Sequence, residues 1–236
     1  MTLELGKGFS QRNLRNMRQL YNVVNDLKWQ TVSAKLTYSH YCEIIWFDKS
    51  KINYYINISE NYNLSVRQLR ERIKSNEYER LPEEAKSKLV NKETFEIKDT
   101  IKNPIIIRNN SNDIITEKLL QKIILEDISS FLKELGNGFT FIKNEYKIKI
   151  GDRYNYINLL LFNIEFNCYV VVELKITELK KEYIGQIEVY MNYIDNNIKK
   201  IYHDKTIGII ICKKDNMFIL EYCSDKRILS REFILV

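Results

Sequence analysis

The sequence is poor in the residues that build metal clusters, disulfide frameworks and long loops. Its 236 residues include only two prolines, seven glycines, two histidines and four cysteines. No two cysteines form a C-x-x-C pair, and with so few histidines this argues against a zinc site. No internal repeat or low-complexity run is present.

Long apolar runs are also absent. No segment approaches the roughly 18 apolar residues of a membrane-spanning helix. Met1–Ser10 holds no apolar run, so no signal peptide is predicted. We therefore expect a cytoplasmic protein, without a membrane partner, whose cysteines are reduced.

The bulk composition is that of a globular protein. Hydrophobic residues make up 44% of the chain, and its length suits two domains. The net charge of +6 is compatible with a polyanionic partner, although A+T-rich codons are an alternative source of many lysines. Residues 1–103 carry 18 Lys and Arg against 13 Asp and Glu, whereas residues 104–236 carry 19 against 18. The basic excess therefore lies in the N-terminal half.

Helical spacing dominates that half. A helix is predicted over Gln11–Asn25, a second follows Thr37, and a third begins at the capping box formed by Ser65 and Gln68. Basic residues lie on other faces of the first and third helices: Arg12, Arg15, Arg18, Arg67, Arg70 and Lys74. Short helices with one capped basic helix predict a winged-helix-like module that binds nucleic acid. A merely solvated basic face is the alternative.

The C-terminal half has a different pattern. The charged stretch Leu81–Asn103 predicts a connection, which gives a domain over 1–103 and another over 104–236. The predicted elements are a helix at Ile114–Leu135, strands at Phe139–Ile150, Arg153–Asn163 and Cys168–Lys175, a helix at Glu178–Ile198, a strand at Thr206–Cys212 and a further strand at Met217–Tyr222. Three meandering strands followed by a helical crossover predict an α/β fold, a mixed sheet flanked by helices.

The sharpest local feature is the end of the third of these strands. Val170–Val172 forms a buried β-branched run, after which Glu173 and Lys175 fall on one side of the sheet. Buried charges are costly unless they are paired or bound to a metal, so this pattern predicts a site, with a salt-bridged strand end as the alternative. Antiparallel pairing of the neighbouring strand puts Asn158 almost opposite Glu173.

Three further residues are weaker candidates. Glu126 lies among isoleucines on the predicted long helix and could reach the sheet edge, although a solvent-facing role is the more ordinary interpretation. Gln186 and Tyr190 are four residues apart on one helix face, where a surface Gln and a packed Tyr are equally ordinary.

The order of these motifs resembles the YhcG-like group of PD-(D/E)XK nuclease proteins along nearly the whole chain. The matching N-terminal segments are Gly6–Leu14, Leu36–Tyr41, Ser65–Leu69 and Tyr78–Leu81. The matching C-terminal segments are Phe131–Gly136, Tyr156–Leu159, Val172–Lys175, Gly185–Gln186 with Tyr190, and Ile207–Ile210. A lone E-x-K would be weak evidence, whereas this ordered string is specific.

The resemblance implies a winged-helix-like N-terminal module and a C-terminal restriction-endonuclease-like domain that hydrolyses phosphodiester bonds in nucleic acid, with DNA expected. It implies Mg²⁺, with Mn²⁺ as a substitute, held by Glu126 and Glu173 and by position 158. Lys175 corresponds to the strand lysine, and Gln186 and Tyr190 correspond to a Q-x-x-x-Y motif beside the substrate. A homodimer would allow such an enzyme to cut two strands.

The chain departs from the family at Asn158, where the pattern has Asp. An amide oxygen can touch a metal but brings no negative charge, and metal affinity falls with ligand charge. Catalysis by this endonuclease-type domain is therefore in question. The alternatives are a catalytically inactive nucleic-acid-binding or assembly subunit, and an interaction protein without nucleic acid.

Overall fold

The computed structural model describes residues 9–26, 35–91, 93–109, 114–223 and 225–236. The chain divides into two compact units, Met1–Glu93 and Thr94–Val236. The division falls ten residues before the expected boundary at 103/104. The reason is that Ile97 and Ile101 are buried in the core of the second unit.

The described part of the first unit is built from helices alone. They are α1 (Gln11–Asp26), α2 (Tyr38–Ile44), α3 (Lys49–Asn61), α4 (Val66–Lys74) and α5 (Glu83–Asn91). Tyr41, Ile44, Tyr55, Leu69 and Ala85 are buried between them. The predicted helical character is confirmed. The described residues of this unit contain no strand that could serve as a wing, so the winged-helix likeness stays a prediction.

Local chemistry sets the start of α4 as predicted. Gln68 N–H donates to Ser65 Oγ at 3.3 Å, and Ser65 N–H donates to Gln68 Oε1 at 2.8 Å, which completes a capping box. The apolar residues expected on one face of α1 are Leu14, Met17, Leu20, Tyr21 and Val24, but Met17 and Tyr21 are 40% and 68% exposed. Val23, which lies outside that pattern, is buried.

The second unit is a six-stranded mixed sheet flanked by helices, as predicted. Its elements are α6 (Ile97–Thr100), β1 (Ile105–Ile107), α7 (Glu117–Glu126), α8 (Ile128–Leu135), β2 (Phe139–Ile150), β3 (Arg153–Asn163), β4 (Cys168–Leu174), α9 (Lys181–Asn197), β5 (Asp204–Cys212), α10 (Met217–Glu221) and β6 (Ile228–Leu235). The strand order is β1-β6-β5-β4-β3-β2. The pairs β1–β6, β6–β5 and β5–β4 are parallel, and the pairs β4–β3 and β3–β2 are antiparallel.

Two apolar cores lie on the two sides of this sheet. Val170, Val172 and Leu174 of β4 pack with residues of α7 and α8. Val171 packs with residues of α9. Alternation along β4 therefore buries successive side chains in different cores, which explains why the strand is apolar throughout.

Several predicted elements were wrong. Ile114–Leu135 is two helices, because Asp127 ends α7 and its side chain caps α8 by accepting from Ser130 N–H at 3.1 Å. Met217–Glu221 is a helix instead of a strand. The short apolar segments β1 and β6 were not predicted as strands. The stretch expected to be only a connection contains α5 and α6.

A half-buried arginine fixes the start of the second unit. Arg231 of β6 donates from Nε to the Ile101 carbonyl at 3.1 Å and from Nη2 to the Lys98 carbonyl at 2.9 Å. Burial lowers the pKa of this guanidinium from its usual range. Because these bonds tie α6 to the last strand, residues before Pro104 belong to this unit.

Across the described residues, no helix has both the length and the apolar character needed to cross a membrane. All four cysteines are free thiols.

Candidate active site

The charged end of β4 lies inside the protein. Glu173 is 2% exposed and Lys175 is 9% exposed. Lys175 Nζ lies 3.7 Å from Glu173 Oε2, so the two charges form a buried ion pair. Such a pair is expensive to desolvate and is weak evidence for a purely stabilising role.

Glu173 is incompletely satisfied. Its Oε1 is buried and has no hydrogen-bond partner in the structure. Burial raises the pKa of Glu173 to about 7, although the Lys175 charge and a hydrogen bond from the Asn158 backbone oppose the rise. The carboxylate therefore has one oxygen available for a cation or a proton.

Asn158 lies beside Glu173, as the predicted register requires. Leu159 pairs with Val172, and continuing this ladder by one residue puts Asn158 opposite Glu173. Asn158 Oδ1 accepts from Leu174 N–H at 2.9 Å, and its carbonyl accepts from Gln121 Nε2 at 3.0 Å. The Asn158 side chain thus links β3 to β4 beyond the backbone pair Leu159–Val172.

The alternation of β3 breaks at this residue. Ile157 is buried in the core on the α9 side, yet Leu159, two residues later, is buried in the opposite core. On β2, Glu145 has φ of 46° at the position opposite Asn158, and the pairs Asn144–Leu159 and Tyr146–Ile157 flank it. Such a conformation is unusual for a non-glycine residue and is typical of bulges beside functional sites.

The carboxylate that reaches this site from helix α7 is Glu117. Its Oε2 lies 3.7 Å from Lys175 Nζ, and its side chain is 42% exposed. Gln121, one turn later on the same face, holds Asn158. Sequence reasoning missed both residues, although the i, i+4 spacing beside the buried Leu120 and Ile124 was a usable signal.

The structure does not bring Glu126 to these side chains. Its side chain is 66% exposed, and its Oε1 lies 3.9 Å from Lys122 Nζ on the same helix. The physical reason is that Glu126 lies nine residues after Glu117, on the last turn of α7.

Helix α9 adds an aromatic side chain that sequence reasoning also missed. Lys175 Nζ lies 4.9 Å from the centroid of the Tyr183 ring, a cation–π distance. The Tyr183 hydroxyl is 2.9 Å from Thr177 Oγ1. The lysine ammonium is therefore held between two carboxylates and one aromatic face.

Gln186 and Tyr190 lie on one face of α9, as their spacing predicted. Gln186 Nε2 donates to the Tyr190 hydroxyl at 3.0 Å. Gln186 is half-buried and Tyr190 is 5% exposed in the core on that side. Their role beside a substrate stays a prediction.

The donor set at the strand end fits a hard divalent cation with few protein ligands. Glu173 offers a buried oxygen without a partner. Asn158, at the opposite position of the neighbouring strand, has an amide oxygen that accepts from Leu174 N–H. Among the described residues no group of three or more His, Cys, Asp or Glu side chains could hold an ion. Mg²⁺ commonly uses one or two carboxylates and fills its other positions with water and phosphate oxygens.

Three of the predicted basic residues in the first unit surround one acid. Arg70 Nη2 donates to Glu43 Oε1 at 2.6 Å. This hydrogen bond holds the pKa of Glu43 below its usual value, and the charges of Arg70, Arg12 and Lys74 add to the effect. Helices α1, α2 and α4 thus bring Arg12, Glu43, Arg70 and Lys74 together.

The other predicted basic residues are on the surface. Arg15 and Arg18 are exposed on α1. Arg67 is exposed on α4 and pairs with Glu71 at 3.3 Å, a contact that contributes little in water.

The chain was compared with known proteins. The YhcG PDDEXK nuclease domain matches residues 98–233, and the DUF1016 N-terminal domain matches residues 1–80. The chain is 24% identical over 250 residues to the "Putative nuclease YhcG" of Escherichia coli (strain K12), and the match covers 90% of this chain and 67% of that protein.

Solved structures give more distant matches. A repair endonuclease from Pyrococcus abyssi is 18% identical, with a TM-score of 0.37 over 52% of this chain and 48% of that chain. A complex of EndoMS with double-stranded DNA is 18% identical, with a TM-score of 0.39 over 52% of this chain and 47% of that chain. The chain thus spans about half the length of these solved structures.

The family match confirms the predicted PD-(D/E)XK nuclease domain. It covers more than half of the chain and includes the β3–β4 pair, Glu117 and helix α9. The chain belongs to the YhcG PDDEXK nuclease domain family.

Proposed function

We propose that this protein is a metal-dependent nuclease that hydrolyses phosphodiester bonds in DNA, with its metal affinity weakened by Asn158. The observation that carries the proposal is the buried Glu173 carboxylate, whose Oε1 has no partner and whose Oε2 lies 3.7 Å from Lys175 Nζ. A buried acid with a raised pKa and a close cationic neighbour is typical of functional sites.

Each side chain has a role that follows from its position. Glu173 and Asn158 would hold the cation. When bound, Mg²⁺ or Mn²⁺ supplies Lewis acidity at a phosphate oxygen and a water of lowered pKa. Lys175 orients the attacking water and stabilises the charge that develops on the phosphate. Glu117 replaces Glu126 in the proposed set, because it holds the Lys175 ammonium towards the strand end.

The first unit would bind the nucleic-acid backbone. Arg12, Arg15 and Arg18 on α1 and Arg67, Arg70 and Lys74 on α4 supply cations for phosphate contacts. Affinity that depends on phosphate contacts falls steeply with added salt and depends little on sequence. A flat salt profile would contradict this assignment.

The test is restoration of the missing charge. Asn158→Asp and the unchanged chain are incubated with plasmid and single-stranded DNA in Mg²⁺ or Mn²⁺. We expect metal-dependent cleavage that is at least about tenfold faster for the Asp variant, since a second carboxylate strengthens cation binding. Asn158→Asp combined with Glu173→Gln is the matched control and should be inactive. An inert Asp variant on both substrates would contradict the nuclease proposal.

The neutral side chain at position 158 favours one alternative, a catalytically inactive nucleic-acid-binding or assembly subunit. It predicts salt-sensitive DNA binding by both forms and cleavage by neither. A third possibility, an interaction protein without nucleic acid, predicts no retention on a DNA column at physiological salt.

A further inference from the structure

An apolar pocket lies beside the proposed active site. It has a volume of about 610 Å³ and opens between the first turn of α9 and the short helix α10. Ile184 forms one wall, and Phe218, Ile219 and Tyr222 form the other. The volume is in the range of small-molecule sites.

The aromatic rings in this pocket are open to solvent. Phe218 of α10 is 76% exposed, and Tyr222, the C-cap residue of that helix four positions later, is 84% exposed. Lys181 is the charged side chain among the lining residues that the structure describes, and Asn216 adds an amide. A flat apolar slot with a cation at its rim matches a nucleotide, which has an aromatic base and an anionic phosphate.

Both walls are continuous with the strand end that carries Lys175. Lys175 N–H donates to the Ile211 carbonyl at 2.8 Å, and Lys213 N–H donates to the Thr177 carbonyl at 3.1 Å. Leu179 N–H donates to the Lys214 carbonyl at 2.9 Å. The segment after Lys175 therefore runs beside the segment that leads into α10.

Helix α9 connects the pocket to the site on its other side. Tyr183, whose ring lies against Lys175, is the immediate neighbour of Ile184 in the pocket wall. Consecutive residues of a helix are about 1.5 Å apart along the axis and point about 100° apart around it. The first turn of α9 therefore carries both the aromatic neighbour of Lys175 and one wall of the pocket.

We propose that this pocket binds an unpaired base of the nucleic-acid strand beside the phosphate held at Lys175. The inference rests on the proposed function and adds a substrate class to it, nucleic acid that contains unpaired nucleotides. Phe218 and Tyr222 stack on the base, and Lys181 contacts its phosphate. A base in a regular duplex is already stacked and cannot enter.

The test measures binding without cleavage, in Ca²⁺ or EDTA. Two duplexes of the same sequence are used, one with a single unpaired 2-aminopurine and one with that base paired. The unchanged protein should bind the unpaired duplex at least roughly tenfold more tightly, with a change in 2-aminopurine fluorescence on stacking. Phe218→Ala with Tyr222→Ala should abolish both the preference and the fluorescence change and leave affinity for the paired duplex unchanged.

The control is Tyr202→Ala, which removes an aromatic side chain that is 70% exposed and does not line the pocket. It should keep the preference. A double variant that retains the preference, or loses affinity equally for both duplexes, overturns the inference. Self-association of the unchanged protein in sedimentation that the double variant abolishes would also overturn it, because the pocket would then hold a second copy.

These experiments distinguish failure of the pocket inference from failure of the proposed function. If neither duplex binds and Asn158→Asp cleaves nothing, both proposals fail. If Asn158→Asp cleaves DNA and the pocket variants change nothing, this inference alone fails.

Discussion

Glu117 of α7 lies 3.7 Å from the Lys175 ammonium at the end of β4, and Glu173 lies at the same distance from it. The lysine therefore has a carboxylate from a helix and a carboxylate from its own strand. Removing either acid should displace the Lys175 ammonium from the position that the proposed reaction requires.

The first prediction concerns which helix acid matters. In the Asn158→Asp background, Glu117→Gln should lower the cleavage rate by about tenfold or more, since Lys175 loses one of its two anionic partners. Glu126→Gln, a change of the same charge on the same helix, should leave the rate within about twofold. Single-turnover cleavage of plasmid DNA measures both. Equal losses for the two variants would contradict the assignment of Glu117.

A second prediction concerns the pH dependence of stability. Burial raises the pKa of Glu173 to about 7, so the folded protein binds this proton more tightly than the unfolded chain. Its contribution to stability is fully present below the unfolded pKa of about 4.5 and is lost as pH rises to about 7. The loss is on the order of 3 kcal/mol.

Urea unfolding between pH 4 and 8 measures that contribution. Glu173→Gln should remove most of the decline across this window, because the side chain no longer titrates. Glu178→Gln changes an exposed carboxylate in the same region and serves as the control. A decline that persists unchanged in Glu173→Gln would assign the effect to other groups.

The third prediction follows from the ligand charge at position 158. Mg²⁺ should raise the melting temperature of Asn158→Asp more than that of the unchanged chain, because a ligand that binds only the folded state stabilises it by mass action. The comparison uses a titration from micromolar to millimolar Mg²⁺, with Glu173→Gln as a background that should abolish the difference. Identical shifts in both forms would show that residue 158 does not contact the ion.

The acid within the basic cluster of the first unit gives a fourth prediction. Glu43→Gln should increase affinity for DNA by roughly threefold at low salt, because it frees Arg70 and removes a negative charge beside Arg12 and Lys74. Glu83→Gln, the same change on α5 next to Lys86, tests a general charge effect. An equal gain in the two variants would remove the Glu43 cluster from the binding surface.

The fifth prediction concerns the hydrogen bonds that attach α6 and the residues after it to β6. Arg231→Met should cost about 2 to 4 kcal/mol in the free energy of unfolding, since the carbonyls of Lys98 and Ile101 lose their donors. Arg153→Met, at an exposed arginine, should cost less than about 0.5 kcal/mol. Urea denaturation of the whole chain measures both. A small cost for Arg231→Met would show that α6 is held by its apolar contacts alone.

Sequence reasoning succeeded where the pattern was local. The β-branched run before Glu173 predicted a buried strand with a charged end, and the turn between β3 and β4 set the register that places Asn158 beside it. The capping box at Ser65 fixed the start of a helix. In each of these cases a few neighbouring residues determine the result.

Sequence reasoning failed where contacts between residues far apart in the chain determine the structure. β1 is a strand through its pairing with β6, and β6 through its pairing with both β1 and β5. Helix α6 belongs to the second unit through the bond from Arg231 to the Lys98 carbonyl. Glu126 and Glu117 both lie on α7, and only the packing of that helix against the sheet shows which acid reaches Lys175. The break in alternation at Asn158 lies opposite Glu145 of the adjacent strand, whose positive φ no sequence pattern indicated.

The amide at position 158 makes a backbone hydrogen bond at the strand end but supplies no negative charge there. Its oxygen accepts the Leu174 N–H at 2.9 Å, a task that either an amide or a carboxylate can perform. An exchange between Asn and Asp at this position should therefore change the ligand charge without disturbing the surrounding backbone. Asn and Asp codons differ by one base, so a single mutation in either direction is enough to add or remove that charge.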